Sequence, residues 1–169
     1  MLKILKMIAG NVAAGPTAVR LPASVPTPEG FRGRLILDPS HCVACHTCAY
    51  VCVSNAVTGQ EAGTAYSWQF DPGRCTFCAR CVDNCPCGAL SMEPQAMPAY
   101  TRQGELSTAI RVPLPTCPEC GAHTRPVVRE LLAQAFGHVT EETLRLAWLC
   151  ERCRRRYYQR NLFLTEGMR

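Results

Sequence analysis

Two short runs decide how this chain folds: Cys42-Val43-Ala44-Cys45-His46-Thr47-Cys48-Ala49-Tyr50-Val51-Cys52, and Cys75-Thr76-Phe77-Cys78-Ala79-Arg80-Cys81-Val82-Asp83-Asn84-Cys85-Pro86. Both read C-x2-C-x2-C-x3-C. The repeat continues upstream, where Asp38-Pro39-Ser40-His41-Cys42 matches Asp71-Pro72-Gly73-Arg74-Cys75 at the same offset of 33 residues. An internal duplication of this kind predicts a unit with a pseudo-two-fold axis.

Eight cysteines in this spacing are the pattern by which bacterial-type ferredoxins hold two 4Fe–4S clusters. Three thiolates two residues apart wrap a cluster only on a tight, non-helical loop. The fourth cysteine of each run is expected at the start of a short helix, ligating the other cluster. The expected sets are therefore crossed: Cys42, Cys45, Cys48 and Cys85 for one cluster, Cys75, Cys78, Cys81 and Cys52 for the other. Val43, Val51, Phe77 and Val82 are expected to shield them from water. Haem attachment at Cys42-Val43-Ala44-Cys45-His46 would leave Cys48 and Cys52 without a role. A disulfide framework needs export, and thirteen cysteines cannot all pair. Zinc sites usually use two separated C-x2-C pairs, not a doubled run of four.

The 169-residue chain is long enough for one medium domain or two small ones. Its 47% hydrophobic content includes the thirteen cysteines, so the organic core is thin and bound metal is expected to contribute to folding. The +5 charge, sixteen arginines against two lysines, fits a solvated surface or an acidic protein partner better than nucleic acid. No apolar run approaches the ~20 residues that cross a bilayer. Cysteine usage without a cleavable signal predicts a reducing compartment.

Along the chain, residues 1–34 read as an arm and strap. Leu2, Ile4, Leu5 and Ile8 form an apolar stripe beside Lys3 and Lys6, suited to a membrane surface, a membrane subunit or ordinary helix packing. Gly15 to Gly33, with Pro16, Pro22, Pro26 and Pro28, predicts an extended strap. Residues 35–93 form the two-cluster domain, an α+β fold of two cysteine loops, two short helices and small hairpins. Strands are expected at Leu35-Ile36-Leu37 and Ala89-Leu90-Ser91-Met92, with a turn over Gly59 to Gly63. Tyr66, Trp68 and Phe70 alternate with polar residues, so one strand face is aromatic and is expected to cover the clusters. Cys87 belongs to neither run and reads as a half-buried free thiol. Residues 94–115 read as a linker.

Residues 116–169 carry Cys117-Pro118-Glu119-Cys120-Gly121 and Cys150-Glu151-Arg152-Cys153. Two such pairs supply a tetrahedral four-sulfur site for one zinc or a rubredoxin-like iron, in a small zinc-ribbon or rubredoxin-like module containing helices. Cys117, Cys120, Cys150 and Cys153 are the candidate ligands; His123 and His138 read as surface or loop residues. Helices are expected over Pro126 to Phe136 and Thr140 to Leu149. Arg152, Arg154, Arg155 and Arg156 with Tyr157 and Tyr158 form a basic patch. It fits a solvated or partner-facing helix, or, in an alternative reading, a nucleic-acid-binding redox sensor.

The order of parts resembles the iron–sulfur subunit of formate hydrogenlyase and related energy-converting NiFe hydrogenases. That subunit is similar in turn to the two-cluster ferredoxin subunit of respiratory complex I. The resemblance rests on Gly30-Phe31-Arg32-Gly33, the cysteine runs, Ser54-Asn55-Ala56, Trp68-Gln69-Phe70 and the C-terminal pairs. It departs at Val53, where the family usually has the proline that Pro86 retains. The resemblance implies a non-catalytic electron carrier on the cytoplasmic face of the membrane, peripheral and held in a complex. Its implied partners are hydrogenase small and large subunits, another iron–sulfur donor and, through the arm, membrane subunits. A complex I-type assembly is the alternative. No nucleophile–base pair, catalytic carboxylate pair or phosphate loop points to bond chemistry or a small-molecule substrate.

Overall fold

The computed structural model describes residues 2–15, 27–95, 102 and 104–166, with side chains through residue 161. Most of the expected strap and the first part of the expected linker lie outside them. The elements are α1 (Leu2–Ala14), β1 (Arg34–Leu37), α2 (Thr47–Tyr50), β2 (Val57–Ala62), β3 (Ala65–Phe70), α3 (Arg80–Asp83), β4 (Leu90–Glu93), β5 (Thr108–Pro113), α4 (Arg129–Phe136), α5 (Glu141–Trp148) and α6 (Glu151–Glu166). The fold is α+β.

The duplication in the sequence is a duplication in space. Strand β1 enters the first cysteine loop and pairs antiparallel with β4, with Leu37 opposite Leu90. Strand β3 enters the second loop and pairs antiparallel with β2, with Phe70 opposite Val57. These partners are related by the 33-residue offset. So are two bonds that close the hairpins: Asp38 N–H donates to Ala89 O and Asp71 N–H to Ala56 O, both at 2.8 Å. Side chains alternating inward from the four strands make the core: Leu35, Leu37, Val57, Tyr66, Trp68, Phe70 and Leu90. Tyr66, Trp68 and Phe70 are each 1% exposed. Full burial of an aromatic side chain contributes on the order of 2–3 kcal/mol, so this one face outweighs any other element of the core.

Several expectations change. The turn over Gly59 to Gly63 is shorter: Gly59 lies inside β2, and the reversal is the two-residue loop Gly63–Thr64 between the paired Ala62 and Ala65. Gly63 takes the left-handed conformation that tight hairpins require. Gly59 is in the strand because the Tyr66 ring lies over it; a Cβ there would collide with Tyr66 Oη and ring carbons. The linker is not loose throughout, because residues 108–113 form β5 against β3, with Val112 opposite Tyr66 and Ile110 opposite Trp68. Pro113, which has no N–H to donate, ends this outer strand. Only the domain's second hairpin gains a third strand. Finally, α2 and α3 precede the fourth cysteines. Cys52 and Cys85 sit just beyond these one-turn helices, and Val53 and Pro86 lie in turns.

Helix α1 extends through Gly10 to Ala14 and leaves its apolar residues Leu2, Leu5, Ile8 and Val12 exposed. Beyond β5, helices α4 and α5 fall within the expected helical stretches, though α4 begins only at Arg129 because Val128 is extended. Thr140 caps α5 by accepting the Thr143 N–H at 3.1 Å. Glu61 in β2 ties this part to the domain, meeting Arg125 at 3.7 Å and His46 of the first cysteine loop at 3.6 Å.

Gly59→Ala should destabilise the folded protein by about 1–3 kcal/mol through overpacking, read as a lower anaerobic denaturation midpoint. Adding Tyr66→Phe should recover part of the loss. A Gly59→Ala protein as stable as the original would contradict this packing.

Candidate metal centres

The two loops reach their shape by placing ordinary residues in left-handed backbone. Ala44 and His46 have φ of 53° and 63°, and Phe77 and Ala79 repeat those values in the second loop. Such residues cost about 1–2 kcal/mol each, and they turn the chain so that alternate sulfurs face one point. His46 and Ala79 each begin the one-turn helix that carries the third cysteine of its run.

The fourth cysteines cross over. Cys52 lines one hollow with Cys75, Cys78 and Cys81, walled by Leu35, Val51, Val57 and Phe77. Cys85 faces Cys48, itself beside Cys45. Burial pushes the Cys42 thiol up to about 11, opposed by the Ala44 N–H, with Cys87, Cys48 and Cys45 adding to the rise. Burial likewise takes Cys81 up to about 11, helped by Cys75 and Cys48. At Cys52, burial is outweighed by the Val57 N–H, 3.5 Å away, and by the Ser54 hydroxyl, so that thiol falls below its ordinary value. The Phe77 N–H donates to Cys75 Sγ at 3.3 Å. Arg32 braces the second loop by donating to Cys78 O at 3.2 Å. His41 is held by Asp38 at 2.9 Å, and Asp71 lies 3.7 Å from Arg74, so each loop opens on an aspartate paired with the residue three positions on.

The residues fit two iron–sulfur clusters. Convergent thiols, apolar walls and N–H groups directed at sulfur are what a cubane of iron and sulfide needs. A four-iron cluster also spreads its ligands over the corners of a larger body than a single ion does. Only the C-terminal four cysteines show single-ion spacing among the described residues: the sulfurs of Cys117, Cys120, Cys150 and Cys153 lie within 4.8 Å of one another.

That cage is half knuckle and half helix. A bridge between Thr116 and His123 closes the first turn, where Cys117 N–H donates to Ala122 O at 2.7 Å and Gly121 N–H to Cys117 O at 2.9 Å. The second pair lies where α5 meets α6, so Cys150 and Cys153 come from a helix start rather than from a second β-knuckle. Cys150 N–H donates to Cys117 Sγ at 3.3 Å, and this bond chiefly draws the Cys117 thiol down to about 6. Cys153, in contrast, is pushed up by burial and by its three neighbouring thiols. Four thiols sharing charge unequally are ready to lose protons to a bound cation. His123 serves the bridge and is not among the four.

The basic patch is largely used within the chain. Arg154 donates to the carbonyls of Leu146, Ala147 and Leu149 at 3.0 Å each, satisfying the end of α5. Arg155 pairs with Glu151 at 2.7 Å, and Arg152 faces the cage sulfurs. Tyr157 donates to Glu142 at 2.8 Å. These roles take three of the four arginines away from a nucleic-acid surface.

Cys87 is half-buried as its sequence setting suggests, but some neighbours of the sulfurs were not legible. Cys87 Sγ lies 3.7 Å from Cys85 Sγ and is the foremost thiol neighbour of Cys42, so five thiols gather at the first set. Its closeness to Cys85 in sequence was the available clue. Hydroxyls at Thr47 and Ser54 lie beside Cys45 and Cys52, at 3.2 and 3.7 Å, where nothing in the spacing marks them.

Known proteins resemble this chain over the two-loop domain. The family model described as 4Fe-4S dicluster domain matches residues 33–89. NADH-quinone oxidoreductase subunit I 2 of Geobacter metallireducens is 36% identical over 100 residues, covering 52% of this chain and 76% of that one. NAD(P)H-quinone oxidoreductase subunit I of Gloeobacter violaceus is 34% identical over 98 residues, covering 52% of this chain and 46% of its own length. A chain in the solved structure of membrane-bound sulfane sulfur reductase, an archaeal respiratory membrane complex, aligns with a TM-score of 0.40 and 29% identity. That alignment covers 59% of this chain and 55% of the other. This chain thus spans about half the length of the last two. The 36% identity over 76% of the Geobacter metallireducens subunit establishes that this chain, with its doubled cysteine loops, belongs to the subunit I family, which carries the 4Fe-4S dicluster domain.

Proposed function

We propose that the chain carries electrons one at a time through two 4Fe–4S clusters inside a membrane-associated complex, toward a NiFe catalytic subunit. The observation that carries the relay is the crossing of Cys52 and Cys85 between the duplicated loops. Each cluster, once bound, would take up and release one electron. Cys42, Cys45, Cys48 and Cys85 would hold one cluster, and Cys75, Cys78, Cys81 and Cys52 the other. Val43, Val51 and Phe77 would keep water from them. The crossing makes each half of the fold depend on the other and keeps the two centres at a fixed spacing.

The exposed apolar stripe of α1, beside Lys3 and Lys6, supports attachment to a membrane face or membrane subunit. No helix among the described residues is long and apolar enough to cross a membrane. The C-terminal four-cysteine cage supports the hydrogenase branch and is assigned one structural zinc or rubredoxin-like iron. A second reading, transfer toward quinone in a complex I-type assembly, is favoured by the names of the two subunit I relatives.

Tagged chain isolated from membranes of its native source should bring down membrane subunits together with a NiFe large subunit. An NADH-oxidising subunit in its place favours the second reading, and recovery as a free monomer contradicts both. Cys153→Ala should lower bound metal by about one ion per chain and open residues 116–161 to protease, with cluster iron retained. Unchanged total metal would contradict the cage as a metal site.

A further inference from the structure

Two buried polar side-chain atoms among the described residues have no hydrogen-bond partner: Tyr66 Oη and Trp68 Nε1. Both side chains are 1% exposed. A buried donor left without an acceptor is costly, and native proteins carry few of them. Two on the same face of one strand therefore call for an acceptor that the polypeptide does not itself supply.

Both face the first sulfur set. After burial, which raises the Cys48 thiol, the Trp68 indole is the next influence on it, and it acts in the opposite direction. The indole N–H lies beside the Cys48 sulfur without completing a well-aligned hydrogen bond to it. Tyr66 lies among Cys48, Cys42 and Cys45, whose charges add to the rise in its phenol pKa that burial begins. Its ring packs edge-on against His46, with centroids 4.6 Å apart.

The duplication supplies an internal control. The positions 33 residues before Tyr66 and Trp68 are Gly33 and Leu35. Leu35 lines the hollow of the second sulfur set and has no donor to offer. Gly33 has no room for a side chain, since a Cβ would collide with the Glu93 and Gln95 carbonyls. Gly59, by contrast, makes the space that the Tyr66 hydroxyl occupies. Solvent access differs in the complementary sense. Cys78 of the second set is exposed, whereas Cys42 of the first is buried and its companions are only partly open. Solvent thus reaches the second set at Cys78 more readily than the first at Cys42, the other six thiols being half-buried in both.

We propose that Tyr66 Oη–H and Trp68 Nε1–H donate hydrogen bonds to the sulfurs of the cluster held by Cys42, Cys45, Cys48 and Cys85, and set its reduction potential separately from that of the other cluster. The proposal rests on the two-cluster reading above. Reduction adds one negative charge, which N–H and O–H dipoles aimed at sulfur stabilise more than they stabilise the oxidised cluster. They carry no electrons; they are positioning residues that take the place of water at a buried centre.

The test uses the anaerobically purified full chain with its clusters, comparing the original with Tyr66→Phe and Trp68→Phe. Iron and sulfide are assayed first, then both midpoints are followed by EPR. In each variant one midpoint should fall by about a factor of ten in the reduction equilibrium, which is 59 mV for a one-electron couple. The other should stay within about a factor of two. After exchange into D2O, electron–nuclear double resonance should detect a deuteron coupled to the affected cluster in the original, lost in the matching variant. Tyr66→Phe keeps the ring and its packing, so the proposal stays testable if Trp68→Phe does not fold. Unchanged midpoints, or equal shifts of both, in protein that retains its roughly eight irons overturn the proposal and leave the two-cluster reading standing. An original protein without that iron overturns both.

Discussion

Bringing three cysteines of one loop to a common point forces the intervening residues into left-handed backbone, and the fold depends on that constraint being met twice. Ala44, His46, Phe77 and Ala79 all have a Cβ, so the strain of roughly 1–2 kcal/mol per residue is present in both loops. Nothing in a 4-residue strand or a one-turn helix offsets it. Thiolate–iron bonds would, which ties the stability of this domain to its inorganic content. The thin core agrees: apart from three aromatic residues on β3 and the thiol of Cys42, it consists of small and medium aliphatic side chains.

The two halves repeat one design and are then made unequal. Both have a strand into the loop, an aspartate turn, left-handed residues at the same two offsets and a closing bond to an alanine carbonyl. Only one half gains β5 and, through Glu61 and Arg125, the C-terminal module. The same half contributes the aromatic face that lies against the first sulfur set. A relay benefits from two centres that are alike in construction but different in surroundings, because each can then be adjusted without disturbing the other.

The cysteine spacing made the duplication and the hairpin strands β1 to β4 legible, because the two loops and the strands that enter them repeat at one fixed offset. The C-terminal four were legible as two C-x2-C pairs, and α4 and α5 from their apolar faces. Strand β5 was hidden by its setting among prolines, although Ile110, Val112 and Leu114 alternate as a strand should. Gly59 read as a turn because the sequence does not show which side chain lies over a glycine. The left-handed positions were invisible for a plainer reason: none is a glycine, so only the geometry of the sulfurs requires them. The arginine patch read as a solvated or partner-facing helix, and Arg152, Arg155 and Arg156 are exposed on α6; residue type does not reveal that Arg154 is spent on the carbonyls at the end of α5.

The central claim is that the last cysteine of each run serves the other run's cluster. Cys52→Ala in the anaerobically purified chain, followed by alkylation of accessible thiols and mass spectrometry, tests it most directly. Iron should fall from roughly eight to roughly four per chain, and the newly reactive thiols should be Cys75, Cys78 and Cys81, while Cys42, Cys45 and Cys48 stay protected. Labelling of Cys42, Cys45 and Cys48 instead would show that each run holds its own cluster, and the crossed architecture would be wrong.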